Sequence, residues 1–238
     1  MSTTQHKIVS RAEWTAARKQ LLAREKQFTH ERDQLSAARR ELPWVKVTEP
    51  YRFERTRGKA TLADLFDGRS QLAVYHFMFG PDWEAGCKSC SFWADSFNGI
   101  VEHLKHRDVT MVAISHAPLA KLTAYARRLG WSFEWVSSFG SAFNHDYGVS
   151  FSPEEVTAGT PYNFDDMRAR GTEMPGISAF LREADGTVFH TYSCYARGLD
   201  MMNTAYQYLD LMPRGRDEGS QPAQNAMAWL RRRDEYGA

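Results

Sequence analysis

The sequence predicts an α/β protein with three layers, a central mixed sheet between helices. Two runs carry that expectation. Leu72 to Phe79 (LAVYHFMF) and Val109 to Ser115 (VTMVAIS) are short, apolar and free of polar alternation, the pattern of strands buried on both faces. Between them, Cys90 to Leu104 places Trp93, Phe97, Ile100, Val101 and Leu104 on one helical face, so the three segments read as a βαβ unit. Further along, Ile177 to Arg182 and Thr187 to Tyr192 flank Ala184-Asp185-Gly186, a turn that marks an antiparallel hairpin.

The remaining elements come in order along the chain. Ser10 and Glu13 form a capping box, Val9 is placed to staple onto Trp14, and a long helix runs from there to Pro43. Along it Trp14, Leu21, Phe28, Leu35 and Leu42 recur every seven residues, but Arg18, Glu25, Arg32 and Arg39 fill the companion positions. One apolar residue per heptad is too thin a seam for a stable two-stranded coiled coil. So narrow a stripe orders a long helix only by packing on a body, and we expect it to lie partly across a second subunit, giving a homodimer. After the second strand, Pro118 opens a helix whose Leu119, Leu122, Tyr125, Ala126 and Leu129 share a face, and Gly130 ends it. Ser132 to Ser137 reads as a short strand, and residues 151–174 as a polar loop insertion. A last amphipathic helix carries Met202, Ala205, Tyr206, Leu209 and Met212 and closes at Pro213. Beyond it the tail is polar and Gly-rich until Met227-Ala228-Trp229-Leu230, a segment apolar enough to dock.

The expected organisation is a helical extension (1–44), a main domain (45–215, with the 151–174 insertion) and a tail (216–238). A βαβ unit continued by a helix and strand, then a hairpin and a closing helix, is the thioredoxin arrangement.

Composition removes several function classes. A formal charge of +1 sets up no field for nucleic acid or anionic lipid, and Arg231-Arg232-Arg233 is followed at once by acidic residues. No apolar run approaches membrane-spanning length, and a polar start leading into a charged helix is not a signal peptide. We therefore expect a cytoplasmic protein with no nucleic-acid or membrane partner. In that compartment the three cysteines read as chemistry or metal binding, not as a disulfide framework.

Cys87-Lys88-Ser89-Cys90 stands where a buried strand ends and a helix begins, the sequence signal of a redox dithiol. Cys87, at the helix start, is expected to be the exposed, acidic nucleophile, and Cys90, one turn in, the buried resolving thiol. Bringing a thiol from a pKa of about 8.5 to about 7 requires roughly 2 kcal/mol. A helix N-terminus supplies on the order of 0.3–1 kcal/mol. Lys88 and a hydrogen bond from Cys90 are expected to add the rest, against Asp82 and Glu84. Pro175 is the second catalytic candidate, expected in the cis form just before the hairpin strand. Trp83, Lys88 and Met174 are the candidate substrate contacts. The reading is a thiol–disulfide oxidoreductase that needs no cofactor and acts on a small thiol, disulfide or peroxide, or on a client protein. Because connections this long are functional or disordered, the insertion is expected to fold over the Cys87 edge and favour small substrates.

Other chemistries fit parts of the pattern. Cys87-x2-Cys90-x12-His103-x2-His106 has nearly the spacing of a zinc finger, but a helix running through it sets Cys90 and His103 about 20 Å apart. A copper(I) carrier could use both sulfurs with His76, His116 or His145, since soft thiolates select that ion. Phe143-Asn144-His145-Asp146-Tyr147-Gly148-Val149 resembles a peroxiredoxin segment and suggests peroxiredoxin-like insertions in the fold. Peroxiredoxins, however, place Thr three residues before the reactive cysteine, where this chain has Glu84. Cys194 reads as a buried structural thiol in an edge strand, and Trp93, Trp131 and Trp135 as core.

Four stretches, YHFMFGPDWEAGCKSCSFWAD, VAISHAPLAKLTAYARRLGW, WVSSFGSAFNHDYGVSF and LDLMPRGRDE, resemble the bacterial thioredoxin-like family known as domain of unknown function 899. That resemblance spans most of the chain. It implies a thioredoxin-like fold with Cys87 and Cys90 as the site, names no substrate, and does not include Cys194.

Overall fold

The computed structural model describes residues 6–218 and 227–237. The first residues of the polar N-terminus and the Gly-rich stretch of the tail lie outside them. The chain forms two compact units, Met1–Pro43 and Trp44–Ala238.

The first unit is one helix, α1 (Arg11–Arg40), started by the expected capping box. The Ser10 N–H donates to the Glu13 carboxylate at 2.9 Å, and the Glu13 N–H returns to Ser10 Oγ at 3.3 Å. None of its residues is buried. Trp14, Leu21, Phe28, Leu35 and Leu42 all stand exposed, Phe28 at 65%.

The second unit is built on an eight-stranded sheet. Its strands are β1 (Val45–Lys46), β2 (Arg52–Arg55), β3 (Gly58–Thr61), β4 (Gln71–His76), β5 (Val109–Ser115), β6 (Glu134–Ser137), β9 (Gly176–Arg182) and β10 (Val188–Tyr195), in the order β1-β10-β9-β4-β5-β6-β2-β3. β7 (Pro161–Tyr162) and β8 (Met167–Arg168) form a separate small hairpin. β4, β5 and β6 are mutually parallel and every other pair is antiparallel. This is the thioredoxin-like mixed sheet that the apolar runs predicted. Side-chain alternation gives each face its own core. Tyr75 and Ala113 join Phe77, Trp93, Leu122, Tyr125 and Trp135 on one side, while Leu72, Val74, Val112 and Ile114 join Phe53, Phe66, Phe143 and Phe180 on the other.

Several expectations are corrected. The helix expected over Cys90–Leu104 is two, α2 (Lys88–Ala94) and α3 (Phe97–Lys105). At the break Ser96 Oγ turns back to the Trp93 carbonyl at 2.9 Å, and the Asp95 carboxylate accepts the Trp131 indole N–H at 2.8 Å. Such side-chain bonds compete with the helix ladder. After β5 the chain continues as α4 (Leu119–Arg128) and, beyond β6, as α5 (Phe143–Asp146). Residues 151–174 are not a loop. They hold α6 (Pro153–Ala158), capped by Ser152 and Glu155 and ended by Gly159 at φ 70°, and then the β7–β8 hairpin. The closing helix shrinks to α7 (Thr204–Leu209), entered through a 3-10 turn over Ala196–Met202. The β10 strand runs to Tyr195, and Cys194 there pairs with Ile177 and is buried, as expected.

Candidate active site

Past β4 the backbone leaves the sheet to form the loop that delivers Cys87. The Cys87 N–H donates to the Met78 carbonyl at 3.0 Å, folding the loop back on itself. Gly86 permits this, because a Cβ there would stand 2.8 Å from the Phe77 ring and 3.2 Å from that of Tyr125. Cys87 is the N-cap of α2 and is half-buried; Cys90, one turn in, is 2% exposed. Cys87 and Cys90 are both free thiols.

The electrostatics separate the two sulfurs. The Cys87 thiol is pulled well below the ordinary thiol range, chiefly because the Cys90 thiol hydrogen-bonds to it. Burial opposes this, and the N–H groups of Cys90 and Ser89 reinforce it. Cys90 is pushed up by burial first and by its neighbour Cys87 second. Its Sγ accepts the Met78 N–H at 3.4 Å. Lys88, expected to help, is not among the main causes. Tyr75, wholly buried beside Cys90, is raised far above the ordinary phenol value by that burial.

A cleft of about 540 Å³ reaches Cys90; Cys87 does not line it, so the insertion expected over the Cys87 edge stands on the Cys90 side instead. Tyr75, Ser89, Cys90 and Trp93 form its inner end; Asn163, Met167 and Arg170 of the insertion form one wall, and Leu199, Tyr206 and Met227 another. Pro175 lines it too, just before β9, but the cis bond expected there is absent: the Met174–Pro175 peptide is trans. Trans is the lower-energy form, and the neighbouring Glu173–Ser150 bridge and the bond from Met174 N to Val149 O at 2.8 Å already fix the approach to β9.

The other candidate contacts do not gather in this cleft. Met174 packs with Val149, Phe151 and Tyr162 in the core of the insertion. Lys88 is half-buried on α2 and does not line the cleft. Trp83 packs against the Cys87 cluster yet opens on a different cleft, shared with His116 and Glu173. His76 lies under the second core, His116 pairs with Glu173 at 3.2 Å, and His145 pairs with Glu155 at 3.0 Å. Among the described residues no three His, Cys, Asp or Glu side chains converge as a metal site, and no helix is long and apolar enough to cross a membrane.

Sequence reasoning missed four residues around Cys87: Tyr75, Ser91, Tyr125 and Arg232. The docking segment Met227–Leu230 was visible, and it does dock: Leu230 is fully buried and the Trp229 ring lies 5.9 Å from that of Phe92. The three arginines after Leu230 show nothing in the sequence except their charge.

Parallel β4 and β5, the antiparallel β9–β10 pair, and a cysteine pair entering the helix after β4 define a thioredoxin-like protein. The chain belongs to the family described as bacterial protein of unknown function, DUF899, which matches it over residues 3–236. Among solved structures it is similar to the peroxidoxin BcpB from Mycobacterium tuberculosis, at 11% identity and a TM-score of 0.42 over 69% of this chain and 97% of that one. Peroxiredoxin Q of Xanthomonas campestris matches at 13% and 0.41, over 68% and 97%. A protein assigned as the thiol:disulfide interchange protein DsbE of Chlorobium tepidum matches at 14% and 0.39, over 69% and 98%. None of these likenesses carries chemistry to this chain. No similar sequence is found among the curated proteins.

Proposed function

We propose that the protein is a thiol–disulfide oxidoreductase with Cys87 as nucleophile and Cys90 as resolving thiol. One observation carries the reading: Cys87 caps α2 half-buried at its N-terminus, and Cys90 lies buried one turn in. The thiolate is the attacking species, so this asymmetry orders the two steps. Cys87 S⁻ attacks one sulfur of a substrate disulfide, forming a mixed disulfide and releasing the other sulfur as a thiolate that takes up a proton. Cys90 then loses its proton and attacks Cys87 Sγ, releasing the second substrate thiol and leaving a Cys87–Cys90 disulfide. Two electrons pass to the substrate, and an external thiol returns them.

The insertion walls the cleft, which supports a small thiol or disulfide as substrate over a client protein. Such a cycle suits a reducing compartment, and the cytoplasm remains part of the proposal. Pro175 lies against the cleft as a substrate-shaping residue in its trans form. A peroxide would need activation at the position of Glu84, an exposed carboxylate, which argues for disulfides instead.

The test is turnover of a small aromatic disulfide with a reducing thiol in excess. Cys87→Ser is expected to abolish it, and Cys90→Ser to accumulate a mixed disulfide visible by mass. Full activity without either cysteine would overturn the proposal.

A further inference from the structure

The C-terminal segment reaches the cysteine loop by a chain of hydrogen bonds whose direction is fixed. Arg232 donates from Nη2 to the Gly86 carbonyl at 2.9 Å and from Nε to the Tyr125 hydroxyl at 2.7 Å. Tyr125 lies 2.9 Å from Ser91 Oγ, and Ser91 Oγ lies 2.9 Å from the Cys87 carbonyl. A hydroxyl has one proton to give. Ser91 commits its own to the Cys87 carbonyl, which can only accept, so the Tyr125 proton is left to be shared between Ser91 Oγ and the Gly86 carbonyl, 3.3 Å away. The guanidinium, which can only donate, therefore heads the chain Arg232 → Tyr125 → Ser91 → Cys87. Its other arm holds the carbonyl of the preceding residue. Both carbonyls flanking the Cys87 Cα are thus gripped, directly or through two hydroxyls, by one side chain near the end of the chain.

This fork is itself built in. Leu230 is fully buried, Arg232 pairs with Glu235 at 3.0 Å, and Asp234 and Glu235 bond Arg128 of α4 at 2.6 and 2.9 Å. The run that resembled a basic patch is spent on backbone carbonyls and on the acids beside it.

We infer that Arg232 is a positioning residue for Cys87, and that the C-terminal segment is a working part of the cysteine site. Cys87 keeps its low proton affinity only while its sulfur stays in register with the Cys90 thiol and the first N–H groups of α2. That register depends on the two peptides the fork holds. The groups that titrate or carry charge around Cys87 include Cys90 on α2, Tyr75 on β4, Tyr125 on α4, Lys121 on α4, whose ammonium donates to the Pro81 and Trp83 carbonyls of the cysteine loop, and Arg232 itself, with Lys88, Asp82 and Glu84 adjacent in the chain.

The inference rests on Cys87 as the reactive thiol, and the test keeps the two claims apart. In the full-length reduced protein, the rate of Cys87 alkylation is followed against pH by mass spectrometry, for wild type, Arg232→Gln, Arg232→Lys and Tyr125→Phe. Arg232→Gln should raise the midpoint by about half a pH unit or more, a threefold or greater loss of rate on the acidic limb. Arg232→Lys keeps the charge but cannot span both acceptors, and should not restore the midpoint. Tyr125→Phe, which keeps the Arg232 bond to Gly86, loses the hydroxyl's own bond there and should fold even if Arg232→Gln does not, is expected to shift it by a smaller amount. An unchanged midpoint in the Arg232→Gln and Tyr125→Phe variants, or full recovery with lysine, would overturn the positioning role. A wild-type Cys87 that titrates as an ordinary thiol would instead remove the proposed function.

Discussion

His76 Nε2 lies 2.8 Å from Ser178 Oγ on the neighbouring strand, inside the sheet and away from solvent. Ser178 continues to Ser193 at 2.7 Å, and Ser193 to His190 at 2.7 Å, so a polar line crosses β4, β9 and β10 within an apolar core. Burial takes the His76 pKa down to about 3, with His190 a lesser cause. Above an unfolded-state value of about 6.5 both states hold a neutral ring and nothing is gained or lost. Below it the unfolded chain binds a proton that the folded chain refuses, so stability falls with pH by about 1.4 kcal/mol per unit from this group. His190, also lowered by burial, acts in the same direction. Urea unfolding at pH 7.5, 6.25 and 5 should show this decline, and His76→Gln should flatten it. A wild-type protein equally stable across that range would contradict the assignment.

The two redox candidates and the third cysteine should be separable by rate. Cys87 is half-exposed and acidified, whereas Cys90 and Cys194 are buried, and Cys90 is pushed up besides. The thiolate is the reactive form. With limiting iodoacetamide at pH 6.5, label is expected on Cys87 at least tenfold faster than on either other cysteine. Equal labelling, or Cys90 labelled first, would reverse the roles given to the pair.

How far the sequence could be read depended on whether the signal was local. Buried parallel strands need unbroken apolar runs, so β4 and β5 were visible, and their pairing came from the helical face between them. Ser10 and Glu13 are three residues apart, and their capping box stood in plain view. Cys87 and Cys90 were legible for the same reason. Arg232 meets Tyr125 across 107 residues and Gly86 across 146, and no spacing rule spans such distances. The insertion failed differently: β7 and β8 have two residues each, too few for any period to register. At Asp95 the helix breaks for an indole N–H thirty-six residues away, which the uninterrupted apolar face of Cys90–Leu104 concealed.

The exposed stripe of α1 yields a prediction about assembly. Trp14, Leu21, Phe28 and Leu35 on α1, with Leu42 just beyond its end, are all exposed at heptad spacing, more than scattered surface hydrophobics, and burying them against a second copy would remove them from water. Light scattering at micromolar concentration is expected to give twice the 27.3 kDa chain mass. Replacing Leu21 and Phe28 by Glu and Lys should return it to one chain. A wild-type monomer would remove the dimer.

The insertion gives the prediction that bears most directly on substrate choice. Asn163, Asp166, Met167 and Arg170 stand along the cleft that ends at Ser89 and Cys90, so the β7–β8 hairpin bounds what can approach the sulfurs from the Cys90 side. The turn between these strands holds Asn163, Phe164 and Asp165 at φ 56–69°, a conformation that L-residues adopt at a cost and that glycine would relieve. A protein disulfide needs an open groove beside the strand after Pro175, whereas a small disulfide needs only the cleft. Replacing residues 163–166 by a Gly-Gly turn would lower the wall while leaving Tyr162, whose hydroxyl donates to the Pro175 carbonyl, in place. Insulin reduction should then rise several-fold, with reduction of a small aromatic disulfide changed less than twofold. If both activities fall together while the far-ultraviolet spectrum and melting temperature hold, the hairpin contributes substrate contacts and does not act as a barrier.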